Sequence, residues 1–537
     1  MLWQILNKDK EDIIKNLLKN RNLITKKDID DFLNPRKLEE IKIQELGVKK
    51  EDLEKIIRRL EKAKIKKEKI VIFGDYDCDG VCATAILWEA LYKLGFDAMP
   101  YIPDRFEEGY GIKANSFENS KFQNLNPKLI ITVDNGIVAY DAVTEAKKRR
   151  IDIIVVDHHT KETKRLATDY ILHSTLVCGS SLAWFLVREL GINTSLDLVT
   201  LGTIADQMPL LGINRSLVKY GLLELSKTKR VGLMALFKDL KLDNVDVYGV
   251  GYIIAPRINA MGRLANATNA LRFLCTRDPK KAGDLNKLLN ETNIERQKIV
   301  DEVMERTMKE VRNEERVIVI SGKYHEGVIG LASGKITEKF NKPSIVLSEN
   351  GNISKASARS ISGFNIIEAI KETGLILEGG GHPMAAGFSI ETIKIKEFRL
   401  KINELNKEKL TDEILERKLK IDMQTSFENI TKELVEELKK FEPVGPGNFS
   451  PVFTTSGVEV AEVKPVGSEG KHLKLKLSQN GIVFNAIWFN ANHSSSPVLN
   501  SSVNIAYAIE ENVWNNKTSI QLKIRDIKND KDIHLLD

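Results

Sequence analysis

From Ile70 onward the chain alternates strand-length apolar runs with longer helical stretches, and this texture continues to about Met208. The runs Ile70 to Phe73 and Ile153 to Val156, with LIITV before Asp134 and LVTLGTIA before Asp206, predict a parallel α/β sheet. Before it, residues 1–65 read as short helices, with Pro35 ending one and the opening MLWQILNKDKEDIIKNLLKN patterned as an amphipathic helix. After it, residues 216–315 read as helical. They end in a charged, breaker-poor stretch from Asp278 to Glu315 that predicts a long connecting helix. A second α/β unit opens with RVIVIS at 316–321 and runs through glycine-rich sequence to about residue 410. Beyond residue 415 the period changes to two, in KHLKLKLS, GIVFNAIWF, VNIAYAIEE and SIQLKIRDI. Alternation bounded by Gly and Asn predicts a small antiparallel β domain over 415–537. The sheet domain is bounded at 66–215 and the second α/β unit at 316–410.

A chain of 537 residues is too long for one hydrophobic core, which agrees with that division. Hydrophobic residues at 42% and charged residues at 29% are ordinary for a globular protein, and no apolar run approaches a membrane span. The N-terminus lacks the uninterrupted apolar core of a secretory signal. Cys78, Cys82, Cys178 and Cys275 form no C-x-x-C pair, so reduced thiols in a cytoplasmic protein are expected. The net charge of +6 is mild, and much of the lysine excess lies on solvated helix faces.

Chemistry enters at the ends of the apolar runs. KIVIF leads into Gly74-Asp75-Tyr76-Asp77-Cys78-Asp79-Gly80, placing three alternating carboxylates in a turn after a predicted strand. Open α/β sheets bind ligands at that edge. A solvated acidic turn accounts for this motif alone equally well, but the event recurs. LIITV ends in Asp134-Asn135-Gly136, DIIVV in Asp157-His158-His159, and LVTLGTIA in Asp206. Carboxylates with one or two imidazoles suit two divalent ions, Mn²⁺ over Mg²⁺, with Mg²⁺ a possible substitute. Two such ions side by side activate water and stabilise a phosphoryl centre, and they need a bridging ligand. Asp134, a single carboxylate between small turn residues, is the candidate bridge.

Asp157-His158-His159 resembles the signature of the DHH phosphoesterase superfamily, with GDYDCDG, TVDNG and GTIAD similar to its other motifs in their usual order. The resemblance implies that Asp75, Asp77, Asp134, His158 and Asp206 are metal ligands. It implies further that His159 faces the scissile phosphate, that Asp157 orients the histidines, and that Asp79 has a supporting role. Pro103 to Gly111, the run Pro256-Arg257-Ile258-Asn259-Ala260-Met261-Gly262-Arg263, His325 to Gly330, Ser357-Ala358-Arg359-Ser360 and Gly379-Gly380-Gly381-His382 narrow it to RecJ-type members. The resemblance covers about residues 45 to 525.

The implied fold is a parallel-sheet DHH domain and a smaller α/β DHHA1 domain joined by a long helix, followed by a C-terminal β-barrel of the OB-fold type. Arg105, Tyr110, Arg257, Asn259, Arg263, Ser357, Arg359 and His382 are the expected substrate contacts, since arginine forks in Gly- and Pro-punctuated loops grip phosphates. His325 is as readily a structural histidine as a substrate contact. Phe449, Phe453, Trp488 and Lys474 are candidates for the barrel's strand contacts, about half of these aromatics being expected in the core. The implied activity is removal of 5′-mononucleotides from single-stranded DNA in the 5′ to 3′ direction, in repair and recombination. Single-strand binding protein and a helicase are the implied partners. A DHH phosphodiesterase acting on short oligoribonucleotides or cyclic dinucleotides is the alternative.

Overall fold

The computed structural model describes the chain except for residues 8–11, 313, 468–469, 492–496, 515–516 and 530–537. The chain divides into two compact units. One contains residues 39–208 and 220–416, the other residues 1–38, 209–219 and 417–537.

The larger unit is built on two sheets. In the first, five parallel strands run in the order Ala98–Tyr101, Ile70–Phe73, Leu129–Val133, Asp152–Asp157 and Tyr170–His173. Ile70–Phe73 and Leu129–Val133 are wholly buried, the near-continuous apolar character expected of strands covered on both faces. In register, Phe73 lies beside Thr132, Val133 beside Val156, and Asp157 beside His173. The chain therefore leaves three adjacent strands at one carboxyl-terminal edge, and the acidic motifs sit there together.

LVTLGTIA is not a strand. Leu196–Ala205 is a helix, with Asp206 at its C-cap. Five of its eight central residues are hydrophobic or glycine, and Asp197 through Ile204 are all buried, so no exposed face interrupts the run. A helix buried all round has no 3.6-residue signal, and periodicity cannot tell it from a buried strand.

Pro279–Glu310 forms the expected long helix, with Pro279 at its first position and Asp278 capping Lys280 and Lys281. It leads into the second sheet, ordered Ile376–His382, Ala385–Glu391, Ile353–Arg359, Ser344–Asn350 and Ile318–Gly322. Only the pairing of Ile318–Gly322 with Ser344–Asn350 is parallel.

In the smaller unit, strands Phe453–Val466, His472–Gln479, Ile482–Trp488, Lys517–Asn529 and Ser502–Trp514 follow one another, and the first pairs with the last to close a barrel. The N-terminus departs from the helical expectation. Leu2–Ile5 is a strand paired in parallel with Lys418–Ile421, and the first helix is confined to Ile13–Asn20. A distant partner strand has overridden the local pattern. Leu17, Leu18 and Phe32 enter the same core as Phe427, Phe441 and Phe453. Buried Arg215 donates to the carbonyls of Phe32, Lys440, Phe441, Glu442 and Pro443, fastening three chain segments. Of the candidate strand contacts, Phe453 and Trp488 are core, whereas Phe449 and Lys474 are exposed.

Candidate metal centre

The carboxyl-terminal edge of the first sheet gathers charge that the fold does not neutralise by itself. Asp75 follows strand Ile70–Phe73, and Asp77 caps the helix Cys78–Lys93 by accepting from Gly80 N–H at 3.0 Å. Asp134 follows Leu129–Val133 with φ +62°, a left-handed conformation that Asp and Asn tolerate better than most residues. Its approach to the next element demands glycine. A Cβ on Gly179, the first residue of helix Gly179–Glu189, would stand 2.7 Å from the Cβ of Asp134. Asn135 steadies the edge by donating to the carbonyls of Phe73 (3.1 Å) and Val133 (2.9 Å).

Three overlapping sets bring ligand atoms within 4.8 Å of one another: Asp75, Asp77 and Asp134; Asp134, His158 and His159; and Asp79, His158 and Asp206. His158 Nε2 lies 3.0 Å from Asp134 Oδ1 and 3.7 Å from Asp206 Oδ2. Buried Oδ1 atoms of Asp75 and Asp134 accept no hydrogen bond. Burial, reinforced by Asp77, pushes the Asp75 carboxyl well above its ordinary range; burial, then Asp79 and Asp77, does the same to Asp134. Asp206 is raised to about 8 by burial and by Asp79 and Asp77. Burial lowers His158, keeping its imidazole neutral and able to ligate. Orphaned buried oxygens, mutual repulsion and a neutral imidazole form a donor set that fits divalent cations.

The two histidines differ because their partners differ. His159 donates its backbone N–H (3.1 Å) and Nδ1 (2.8 Å) to Asp157 Oδ1, while Ile137 N–H donates to Oδ2 at 2.8 Å. Burial alone would raise Asp157, but these donors outweigh it and hold the carboxyl below its usual range. The bond to Asp157 in turn raises His159 above the usual imidazole range. With Nδ1 engaged, Nε2 of His159 lies 3.3 Å from the Tyr110 hydroxyl, which also reaches the Asp134 carbonyl at 3.4 Å.

Asp79 is oriented otherwise. Its two oxygens accept from Gly179 N–H (2.6 Å) and Ser180 N–H (3.0 Å), anchoring the N-terminus of a neighbouring helix beneath the cluster. Asp79→Ala is expected to destabilise the metal-loaded protein by about 2 kcal/mol, because two buried N–H groups lose their acceptor. Denaturant unfolding measures it.

A 310 Å³ cavity opens on this cluster, lined by Asp75, Tyr76, Asp77, Arg105, Tyr110, His159, Asn259, Gly262 and Arg263. Arg105 stands 5.2 Å over the Tyr76 ring. Asn259 accepts from Cys78 N–H at 2.7 Å, tying helix Ala255–Leu264 to the turn that carries Asp75 and Asp77.

Three family models match the chain: the DHH family N-terminal domain over residues 69–203, the DHHA1 domain over 314–408, and the RecJ OB domain over 421–526. The single-stranded-DNA-specific exonuclease RecJ of Haemophilus influenzae is 30% identical, with 95% of each chain covered. The chain belongs to the RecJ family. The Bacillus subtilis RecJ is 33% identical over 87% of this chain, which spans 62% of that relative's length. The structure of Thermus thermophilus RecJ in complex with Mn²⁺ is similar at a TM-score of 0.82 and 26% identity, covering 98% of this chain and 79% of that one. The same protein in complex with Mg²⁺ matches at 0.77 and 25%.

Within this RecJ-family chain the remaining expected substrate residues lie outside the cavity wall. Arg257 Nε donates to Asn290 Oδ1 at 2.6 Å, and His382 ends an exposed glycine-rich strand. Arg359 and Ser357 share strand Ile353–Arg359, with Arg359 Nη1 3.4 Å from Ser357 Oγ. The link between the two regions is helix Glu326–Phe340. Arg263 donates to the Gly327 carbonyl at 3.3 Å, and one turn on a Cβ at Gly330 would stand 3.0 Å from Ser357 Oγ. His325 accepts from Gly327 N–H at 3.1 Å as the cap of that helix and packs edge-on against Phe106 at 5.1 Å. Tyr76 was not among the residues expected at the site. Its only signal in the sequence is its place between two of the carboxylates.

Proposed function

We propose that this chain is a metal-dependent exonuclease that hydrolyses single-stranded DNA from the 5′ end, releasing 5′-mononucleotides. The observation that carries the reading is the cluster of Asp75, Asp77, Asp134, His158 and Asp206 at one sheet edge, in a chain that also carries a RecJ OB domain. Those five residues would hold two divalent ions, Mn²⁺ or in its place Mg²⁺, which when bound supply a hydrolytic nucleophile and offset phosphoryl charge.

The chain's own groups do the rest. His159, its Nδ1 fixed by Asp157, presents Nε2 to the cavity, where it donates to a phosphate oxygen or to the departing 3′ oxygen. Arg105 and Arg263 line the same cavity and counter the strand's charge. Tyr110 spans His159 and the Asp134 carbonyl and so fixes the height of the imidazole over the cluster. Arg257, Asn259, Ser357, Arg359 and His382 position the strand. The setting is DNA repair and recombination in the cytoplasm, with single-strand binding protein and a helicase as partners. No helix among the described residues is long and apolar enough to cross a membrane. Against the reading as a phosphodiesterase for short oligoribonucleotides or cyclic dinucleotides stands the barrel, which such a substrate would not need.

The test is digestion of end-labelled single and double strands with Mn²⁺, Mg²⁺ or chelator. Loss of 5′ label as mononucleotide from single strands only, abolished by chelator, is the expected result. Preference for dinucleotides over long strands would overturn it. Arg359→Ala is expected to erase most of the preference for 5′-phosphorylated over 5′-hydroxyl strands, because a terminal phosphate carries more charge than a diester and rewards an arginine fork. Initial rates on both strands, with circular single strands as an uncut control, measure it.

A further inference from the structure

Residues 247–264 are helical without interruption, but the helix widens to five-residue turns over Gly249–Ile254. Such widened turns concentrate at functional sites. The C-terminal part of this helix supplies Asn259, Gly262 and Arg263 to the cavity over the metal cluster. Its N-terminal part carries Tyr248 and Tyr252, which are 63% and 73% exposed. Their rings are stacked on each other, with centroids 4.9 Å apart and planes 22° apart. The ring stack sets Tyr248 and Tyr252 side by side, and past the widened turns positions 256, 259 and 263, spaced three and four, follow one face of the α-helix. None of these five is buried, whereas Val250, Ile254 and Ile258, spaced four and four, are.

We propose that Tyr248 and Tyr252 form a base-stacking platform that holds the single strand as it leaves the metal cavity. The proposal rests on the exonuclease reading above. Every base has a π-face, so a preformed tyrosine stack accepts any sequence. At about 1.5 Å rise per residue, the pair lies roughly 10 to 16 Å from Asn259 along the helix. At about 3.4 Å per stacked nucleotide that is roughly three to five nucleotides from the scissile bond. The stretch leading to the pair, KLDNVDVYGV, sets one lysine against two aspartates in its first six residues, and Asp246 accepts from Gly249 N–H at 2.7 Å. Stacking rather than phosphate attraction therefore holds the strand here.

The test uses the full chain with Tyr248→Ala and Tyr252→Ala combined, and with both tyrosines changed to Phe. On a twenty-nucleotide 5′-phosphorylated strand, the alanine pair should raise KM about tenfold with kcat little changed, the scale expected for losing one stacked base. On a dinucleotide, too short to reach the pair, kcat/KM should stay at the wild-type value. The phenylalanine pair should match wild type, because stacking needs no hydroxyl. Abasic sites at the third to fifth nucleotides should weaken wild type and add nothing to the alanine pair. Binding of a labelled strand in chelator should weaken by the same factor at low and high salt, since no phosphate contact is lost. An unchanged KM on the long strand, an equal loss on the dinucleotide, or a phenylalanine pair as poor as the alanine pair would overturn the platform. Binding in chelator reads the platform without hydrolysis. A wild-type protein that binds strands through the tyrosines but does not cut them would sink the exonuclease reading alone.

Discussion

Asp134→Asn is expected to reduce strand cleavage by roughly a thousandfold or more, because one carboxylate serves two overlapping ligand sets and its loss disables both. Asparagine is the sharper choice than alanine. Asp134 sits at φ +62°, which Asn tolerates, so the variant removes charge without adding backbone strain. The same substitution should raise the melting temperature of the metal-free protein. Burial and then Asp79, Asp77 and Asp75 hold the Asp134 carboxyl well above its ordinary range, so keeping it ionised at neutral pH costs stability that the amide does not. The sign carries over to pH. Carboxyls raised in the folded state, including Asp206 at about 8, take up protons before their unfolded counterparts, so the metal-free wild type gains stability as pH falls from that value toward the ordinary carboxylate range. Excess Mn²⁺ should reverse the order of melting temperatures, since only the wild type gains fully from binding. Metal content, calorimetry and initial rates on one preparation check all three. A variant with normal metal content and more than a few per cent activity would defeat the assignment of Asp134 as a shared ligand.

Most of the cluster was legible because it is local. A short apolar run followed by a carboxylate announces both a buried strand and the chemistry at its end, and Asp75, Asp134 and Asp157 were placed by that logic alone. The histidines follow Asp157 directly and come with it. What the sequence hides is direction. Asp75, Asp77 and Asp79 alternate in the sequence, yet Asp79 lies in helix Cys78–Lys93. Although it stands beside His158 and Asp206, both its oxygens accept from the N-terminus of helix Gly179–Glu189, a partner a hundred residues on. Asp206 was found for the wrong reason, since the buried segment before it is a helix. The same limit applies to larger pieces. Nothing in the pattern of residues 1–38 or 209–219 announces that they pack with residues 417–537, because those contacts depend on Phe32, Arg215 and Phe441 meeting across the whole chain.

Direction also decides the roles of the two adjacent histidines, which the sequence presents as equivalents. His158 turns Nε2 toward Asp134 and Asp206, and burial keeps it neutral. His159 turns Nδ1 to Asp157, and that bond raises it. One ring is suited to accept a cation, the neighbouring ring to hold a proton. Gly136, with φ +110°, makes this possible. It carries the chain round so that Ile137 N–H reaches the second oxygen of Asp157, leaving only one oxygen for His159 and fixing the ring's orientation.

His159→Asn should therefore lower kcat by about a hundredfold to ten-thousandfold, the range of a positioned acid or base, while metal content stays near normal. Its Nε2 faces the cavity beside Tyr110 rather than the centre of the carboxylate cluster, so its loss removes a proton donor and leaves Asp75, Asp77, Asp134, His158 and Asp206 in place. Asp157→Asn should cost less than His159→Asn, since an amide still accepts a hydrogen bond but no longer favours the charged imidazole. Residues that act as a unit are not additive, so the double variant should be no slower than His159→Asn alone. That comparison separates two accounts of Asp157. If Asp157 works through His159, the second substitution adds nothing; if it merely stabilises the strand end through Ile137, the two losses multiply and the folded fraction falls with them. Initial rates on a 5′-phosphorylated strand, measured with metal analysis and unfolding curves for all three variants, decide between them. A His159→Asn enzyme that kept a tenth or more of wild-type kcat would remove the imidazole from the chemistry and leave Arg105 and Arg263 as the groups to test at the phosphate.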